Sequence, residues 1–396
     1  MSAWSGLRRE TRFFVIFLVG LALIPLLGLL MGQRMWTLSL SVGSYCLIYM
    51  IAAQALNVQV GFTGLLNLGP IAFVGIGAYT GALLLTYPNA AGDPALVSFY
   101  TSILPDLSGH ARWVLFFLDP NFLAYVTVAP AAVIMSVLLS VGIGIPTLKL
   151  TGDYFAIVTL GFAQIFYLVV KNEAWLTKGA FGVKDVPPLF SFCEGADKIV
   201  FMEKTAHYFF GVAVLALSLW VVVRLRESYM GRSLTAVRDN ELAAQSNGVN
   251  VVRARMVSFV VFSALAALAG LVLVARNKFL SPSDLNFMES ILYLCCVVLG
   301  GMGSVRGTLV GAVVLGALGE VMRLLLPELS ELTGWDIPLQ IRYVLFGMIL
   351  ILVMRFRPNG LLPVADEEEA RGREALGDHR DVTPTLFALA GKEPSK

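Results

Sequence analysis

Residues 224–255 read RLRESYMGRSLTAVRDNELAAQSNGVNVVRAR, a charged island between two apolar stretches at about 207–223 and 256–275. Arg224, Arg226, Arg232, Arg238, Arg253 and Arg255 all fall inside it. Each flanking stretch is close to the roughly 20 apolar residues that a helix needs to cross a bilayer. A basic loop between two spans belongs on the cytoplasmic side. Within the island, Glu241-Leu-Ala243-Ala244-Gln-Ser-Asn-Gly248 predicts a short helix. Asp239 or Asn240 can cap it, and Glu241 sits in its first turn beside the positive end of the dipole. Gly248 suits the left-handed position that ends a helix. Gly231-Arg232-Ser233 predicts a turn ahead of it, with Ser233 as a second cap. Ala243 and Ala244 leave a smooth face that fits a groove on a partner protein; an ordinary amphipathic loop helix is the plainer reading.

Working outward, the chain is 57% hydrophobic and 14% charged, where a soluble domain is nearer a quarter charged. These proportions predict an integral membrane protein. Its fold class is all-α, a polytopic transmembrane helical bundle, because lipid offers no partner to open backbone groups. The apolar runs are long and continuous, unlike the short alternating segments of a barrel. Ten segments stand out, at about 13–31, 38–59, 65–86, 121–148, 153–171, 207–223, 256–275, 288–300, 306–326 and 340–356. The run 288–300 is too short to span, so it is read as re-entrant or as starting within 284–290. Arg8, Arg9 and Arg12 precede a first apolar run longer than a signal-peptide core, which is read as a retained span. With ten crossings both termini are cytoplasmic, 224–255 is inside, and 87–120 and 172–206 are outside. Lys178, Lys184, Lys198 and Lys204 in the second outer loop oppose this orientation, but charge bias counts less over long loops. Residues 1–363 form the transmembrane domain. The acidic, polar stretch 364–396 reads as a solvated cytoplasmic tail.

Residues 61–85 and 301–325 echo one another: a glycine-rich turn runs into a glycine-rich apolar helix. Gly77/Gly81 and Gly307/Gly311 have the spacing that lets helix backbones approach closely in lipid. Paired, interrupted hydrophobic segments also mark transporters with a central site. An internal repeat and two ordinary glycine-rich helices both account for the echo.

No Gly-x4-Gly-Lys-Ser/Thr occurs, and Gly179-Ala-Phe-Gly182-Val-Lys184 has the wrong spacing, so the chain has no phosphate cradle of its own. No cofactor is expected on it. Cys46, Cys193, Cys295 and Cys296 make no disulfide framework and read as small buried hydrophobes. His110, His207 and His379 are too scattered for a metal site, and nothing suggests nucleic-acid binding. No nucleophile–base constellation supports an enzyme.

Polar groups at membrane depth each need an account. Gln54 and Asn57 share a helix face at i, i+3, with Gln59, Gly64 and Asn67 close after. Gln54, Asn57, Gly64 and Asn67 are the candidate path residues; bonding across helices as glue is the alternative. Glu320 and Arg323, also at i, i+3, are expected to pair near the outer boundary. Lys149 and Asp153 flank a turn between spans. Asp284 and Glu289 sit at a helix start, where acids are favoured. Arg306 is expected at the cytoplasmic interface or against a partner permease.

Residues 38–362 resemble the permease subunits of ABC importers for branched-chain amino acids, in the LivM-like branch. Glu241-x-Ala243-Ala244-x3-Gly248 resembles the "EAA" loop that forms the coupling helix against an ATPase. The flanking Tyr229-Met-Gly231-Arg232-Ser-Leu-Thr-Ala-Val-Arg238-Asp239 also fits this branch. So do Gly61-Phe-Thr-Gly64-Leu-Leu-Asn67-Leu-Gly69, Leu150-Thr-Gly152-Asp153-Tyr154-Phe155, Gly300-Gly301-Met-Gly303-Ser-Val-Arg306-Gly307 and Arg357-Pro358-Asn-Gly360-Leu. Each alone is a weak signal; their order together is a strong one. The resemblance implies a second, LivH-like permease and two LivG/LivF-like ATPases that hold ATP and magnesium. It also implies an external amino-acid-binding protein and a prokaryotic cytoplasmic membrane. Arg238, Asp239, Glu241, Ala243, Ala244 and Gly248 would form the ATPase-coupling site. The long 87–120 loop and the acidic tail depart from the pattern. Two alternatives stay open. One is the same machine carrying urea or a short amide. The other is a self-contained secondary transporter, which would need a coupling-ion site.

Overall fold

A computed structural model describes residues 33–87, 94–103, 119–148, 153–190, 200–333 and 341–362 except 358, with parts of 13–25. The turn at 149–152, Cys193, His110, His379, much of 87–120 and the tail 364–396 lie outside the described residues.

In chain order the helices are α1 (Gln33–Thr63), α2 (Pro70–Thr86), α3 (Ala95–Ile103), α4 (Pro120–Thr147), α5 (Asp153–Asn172) and the single turn α6 (Ala174–Thr177). They continue with α7 (Val200–Glu227), α8 (Tyr229–Asp239), α9 (Glu241–Ser246), α10 (Val251–Asn277), α11 (Phe287–Gly300), α12 (Val305–Thr333) and α13 (Ile341–Phe356). Among the described residues there is no strand, only an isolated antiparallel bridge between Val183 and Leu280. Six helices, within α1, α4, α5, α7, α10 and α12, are long and apolar enough to cross a membrane. The protein is thus a multi-pass helical membrane bundle.

The sequence explains where the helices start. Asp119 caps α4 by accepting from the Asn121 amide at 3.0 Å, with Pro120 in the first turn. Asn250 caps α10 by accepting from the Arg253 amide at 2.9 Å, which satisfies a donor that the first turn leaves open. The expected segment 65–86 begins late. Gly64 has φ +71, so 64–69 is a turn, and Pro70 at the first helical position starts α2. The expected segment 207–223 is a longer helix, 200–227; at its C-terminal end Arg224 and Arg226 complement the dipole and let it run on past 223. The expected short run 288–300 is the 14-residue α11, capped by Asn286.

Burial sorts the helices. α10 is buried nearly all round and packs against α1, α2, α4 and α7, making it the hub. A helix apolar on every face belongs in the middle of a bundle. α4 and α5 expose Ile134, Leu138, Ile145, Ile157 and Ile165 along their outer faces, which is where lipid would lie. Phe73, Phe259 and Phe262 form the aromatic centre, with ring centroids 5.3 Å apart from Phe73 to each of the other two.

Candidate functional site

The island 224–255 is two helices, not one. Ser228 caps α8 by accepting from the Gly231 amide at 3.1 Å. This corrects the expected turn at 231–233 and its Ser233 cap. Gly231 lies inside α8, at a position where any side chain would meet the Leu225 and Arg226 carbonyls at the end of α7. Ser233 is buried, and its hydroxyl donates back to the Tyr229 carbonyl.

α9 follows. Of its two candidate caps, Asn240 acts, accepting from the Ala243 amide at 3.0 Å; Asp239 ends α8 and pairs with Arg238 at 3.2 Å. Gly248 has φ +80, the left-handed position that stops the helix, and a Cβ there would meet nothing within 4 Å. Glu241 does more than favour the dipole: it receives Arg255 at 2.7 Å, pinning α9 to the first turns of α10. Sequence reasoning did not pair these two. The signal available was an acid and a base of opposite sign in one island. Ala244 is buried against the bundle and Ala243 faces solvent, while Leu242 is 75% exposed at the island's tip.

Arg238 joins the island to the bundle. Its guanidinium donates to the Gly61 carbonyl at 2.9 Å, one of the carbonyls that the C-terminus of α1 leaves unpaired. Its aliphatic stem lies over Gly64, where a Cβ would approach to 3.1 Å.

The candidate path residues lie just above this junction and are fully buried, apart from the exposed Gly64. Gln54 donates to the Val305 carbonyl at 2.7 Å. Asn57 accepts from the Gly303 amide at 2.8 Å. Asn67 donates to the Gln59 side chain at 2.7 Å and accepts from the Gly69 amide at 2.7 Å. In this conformation the amides tie α1 to the turn 301–304 and to its own following turn.

The paired glycines sit where backbones meet. A side chain at Gly77 would strike the Ala267 backbone and one at Gly81 the Leu271 side chain, both on α10. At Gly307 and Gly311 it would strike the Gly300 and Cys296 backbones of α11.

At the opposite end of the bundle, Glu320 meets Arg323 at 3.4 Å, as the i, i+3 spacing implies. It also meets Arg276 from α10 at 3.4 Å, a partner the spacing could not reveal. Glu289 receives the Tyr49 hydroxyl at 2.7 Å and lies 3.7 Å from Arg342. Asp284 closes a capping box on Ser281; burial raises its pKa above the ordinary carboxylate value, and the Ser281 amide lowers it in part. Arg306 lies over the Phe13 ring, 5.1 Å from its centroid. Cys46, Cys295 and Cys296 are buried and free. No cluster of metal-ligating residues occurs among the described residues.

The described residues thus form a helical membrane bundle that carries a capped, charged helix pair between two spans. The comparisons with known proteins sharpen that class. Residues 39–354 match the family described as "Branched-chain amino acid transport system / permease component". The chain belongs to this family. It is 31% identical to the high-affinity branched-chain amino acid transport system permease protein LivM of Salmonella typhimurium, over 91% of this chain and 79% of that one. It is 30% identical to the protein of the same description from Escherichia coli, over 88% and 75%. A probable LivM of Methanocaldococcus jannaschii is 24% identical over 80% of this chain and 90% of its own length. No solved structure matches.

Proposed function

We propose that this chain is the membrane subunit of an importer of branched-chain amino acids, driven by separate ATPases that bind the α8–α9 island from the cytoplasm. The observation that carries the coupling role is α9 itself. A six-residue helix is too short to persist alone, yet this one is capped at Asn240, stopped at Gly248 and pinned through Glu241 to Arg255. That support holds Leu242 out into water, the arrangement of a helix made to enter a groove. The family and the names of its relatives support the cargo. A second permease would complete the pathway, and an external binding protein would deliver the substrate. ATP and magnesium would bind in the ATPases.

The island then acts as a lever. Closure of the ATPases would move α9, Arg238 would carry the displacement to Gly61, and Asn57 and Gln54 would pass it to the turn 301–304. The permease needs only a difference in substrate affinity between its two states. Uptake of labelled leucine, with urea in parallel, tests the reading in cells carrying the complete transporter. Glu241→Ala with Gly248→Pro is expected to abolish leucine uptake at unchanged membrane abundance, because proline cannot adopt a positive φ. Normal uptake by this variant would refute the coupling role, and urea uptake alone would change the cargo.

A further inference from the structure

At the end of the bundle away from the island lies a cavity of about 530 Å³, within the range of small-molecule sites, about 300–1,000 Å³. Arg276, Arg323 and Arg342 line it together with Asp284, Tyr45 and Phe279. They come from α1, α10, the 278–286 connection, α12 and α13, so the cavity gathers much of the fold at one point.

The arginines are not fully used by the protein. Each guanidinium carries five donors. Arg276 is committed: it stacks on the Tyr45 ring at 3.9 Å and reaches Asn277, Ser41 and Glu320. Arg323 is half-exposed and, among the described residues, meets Glu320 at 3.4 Å and the Tyr45 ring at 5.9 Å. Arg342 donates to the Tyr343 hydroxyl at 2.9 Å and lies 3.7 Å from Glu289. These ion pairs are longer than the 2.7–2.9 Å typical of a strong charge-assisted bond. Arg323 and Arg342 therefore retain donors toward the cavity. Asp284 has the opposite need. One of its oxygens accepts from the Ser281 amide at 3.1 Å, and among the described residues it has no cationic partner.

We propose that this cavity is a receiving site for a free α-amino acid, with Arg323 and Arg342 on the carboxylate, Asp284 on the ammonium, and Tyr45 and Phe279 beside the apolar side chain. The inference rests on the proposed cargo and adds where this chain first holds it. A planar carboxylate matches the guanidinium fork. A ligand with only negative charge, such as a phosphate or an anionic lipid headgroup, would meet Asp284. Urea would leave the arginines without an anion.

The test uses the complete complex of permeases and ATPases, without binding protein, in discs of phosphatidylcholine. Saturable binding of labelled leucine is expected, with little competition from leucinamide, which lacks the carboxylate, or from isocaproate, which lacks the ammonium. Arg323→Gln and Asp284→Asn should each weaken binding on the order of tenfold, the loss of one charged hydrogen bond. In the same transporter with its binding protein, both should raise KM for leucine while basal ATP hydrolysis is retained. Absent binding by the wild-type complex, or binding and KM unchanged in both variants, would overturn the site. Leucine displaced by adding phosphatidylglycerol, with lipid binding lost in Arg323→Gln, would make it a lipid site and overturn the proposal. The two readings fail differently: a wild-type transporter that imports some other cargo but not leucine refutes the cargo, whereas normal leucine uptake by both variants refutes the site alone.

Discussion

Arg238 closes a carbonyl that α1 leaves open, and in doing so makes one side chain the bridge between a water-facing helix and a membrane helix. Arg238→Ala removes that bridge without touching α9. We expect leucine uptake to fall about 5-fold or more, equivalent to ~1 kcal/mol of lost coupling, with ATP hydrolysis by the complex persisting. Equal loss of both would place Arg238 in assembly instead. Glu241 poses a different problem, because its removal also strands the nearly buried Arg255 guanidinium. Leaving that group unpaired costs about 1–3 kcal/mol. Glu241→Ala should therefore lower the thermal unfolding midpoint of the purified complex. Glu241→Ala with Arg255→Met should restore the midpoint but not the uptake, which separates local stability from docking. The sequence marked Arg238, Glu241 and Gly248 because each has a local signature of charge, cap or turn. Opposite charge in one island hinted at Glu241 and Arg255 without fixing the pair, which depends on the angle between α9 and α10; Arg276 and Glu320 meet only after distant helices pack. Gln54 and Asn57 illustrate the same limit: their depth was legible, whereas their partners at 303–305 were not.

Among the elements, the close crossings of α2 with α10 and of α11 with α12 depend on missing side chains. A methyl at Gly77 would fall on the Ala267 backbone, which has no rotamer to yield. Gly77→Ala is thus expected to destabilise the purified protein by about 1–3 kcal/mol. Gly142→Ala on α4, where a Cβ would meet nothing within 4 Å, should stay within ~0.5 kcal/mol. Thermal unfolding of both variants in the same detergent checks the contrast; equal shifts would mean that α2 and α10 are not packed in this way. The helices themselves were readable from hydropathy, and the deviations have local causes. Gly64 delays α2, and the cap at Ser228 merges the expected turn at 231–233 into α8. The 14-residue α11 is shorter than the bilayer core, which composition alone could report but not explain. Packed against α12 through glycine, it needs no lipid-spanning length of its own.

For the whole molecule, the proposed orientation places the arginine-rich α8 and α9 on the cytoplasmic side and Trp175 and Phe181, each 82% exposed, on the other. Single cysteines in a cysteine-free background test this. Leu242→Cys should react with an impermeant maleimide only in inverted vesicles, and Trp175→Cys only in spheroplasts; the reverse pattern would invert the protein. One further feature binds the molecule end to end. Beyond α13, Leu361 and Leu362 donate their amides to the Leu299 and Gly300 carbonyls at 2.9 and 3.0 Å, and Gly360 lies so close to Gly301 that no side chain fits between them. The turn linking α11 to α12 is thus completed by residues that the ribosome makes some sixty positions later. Until they emerge, the Leu299 and Gly300 carbonyls lack these two donors. The clasp is therefore among the last contacts that synthesis can supply to this helix pair.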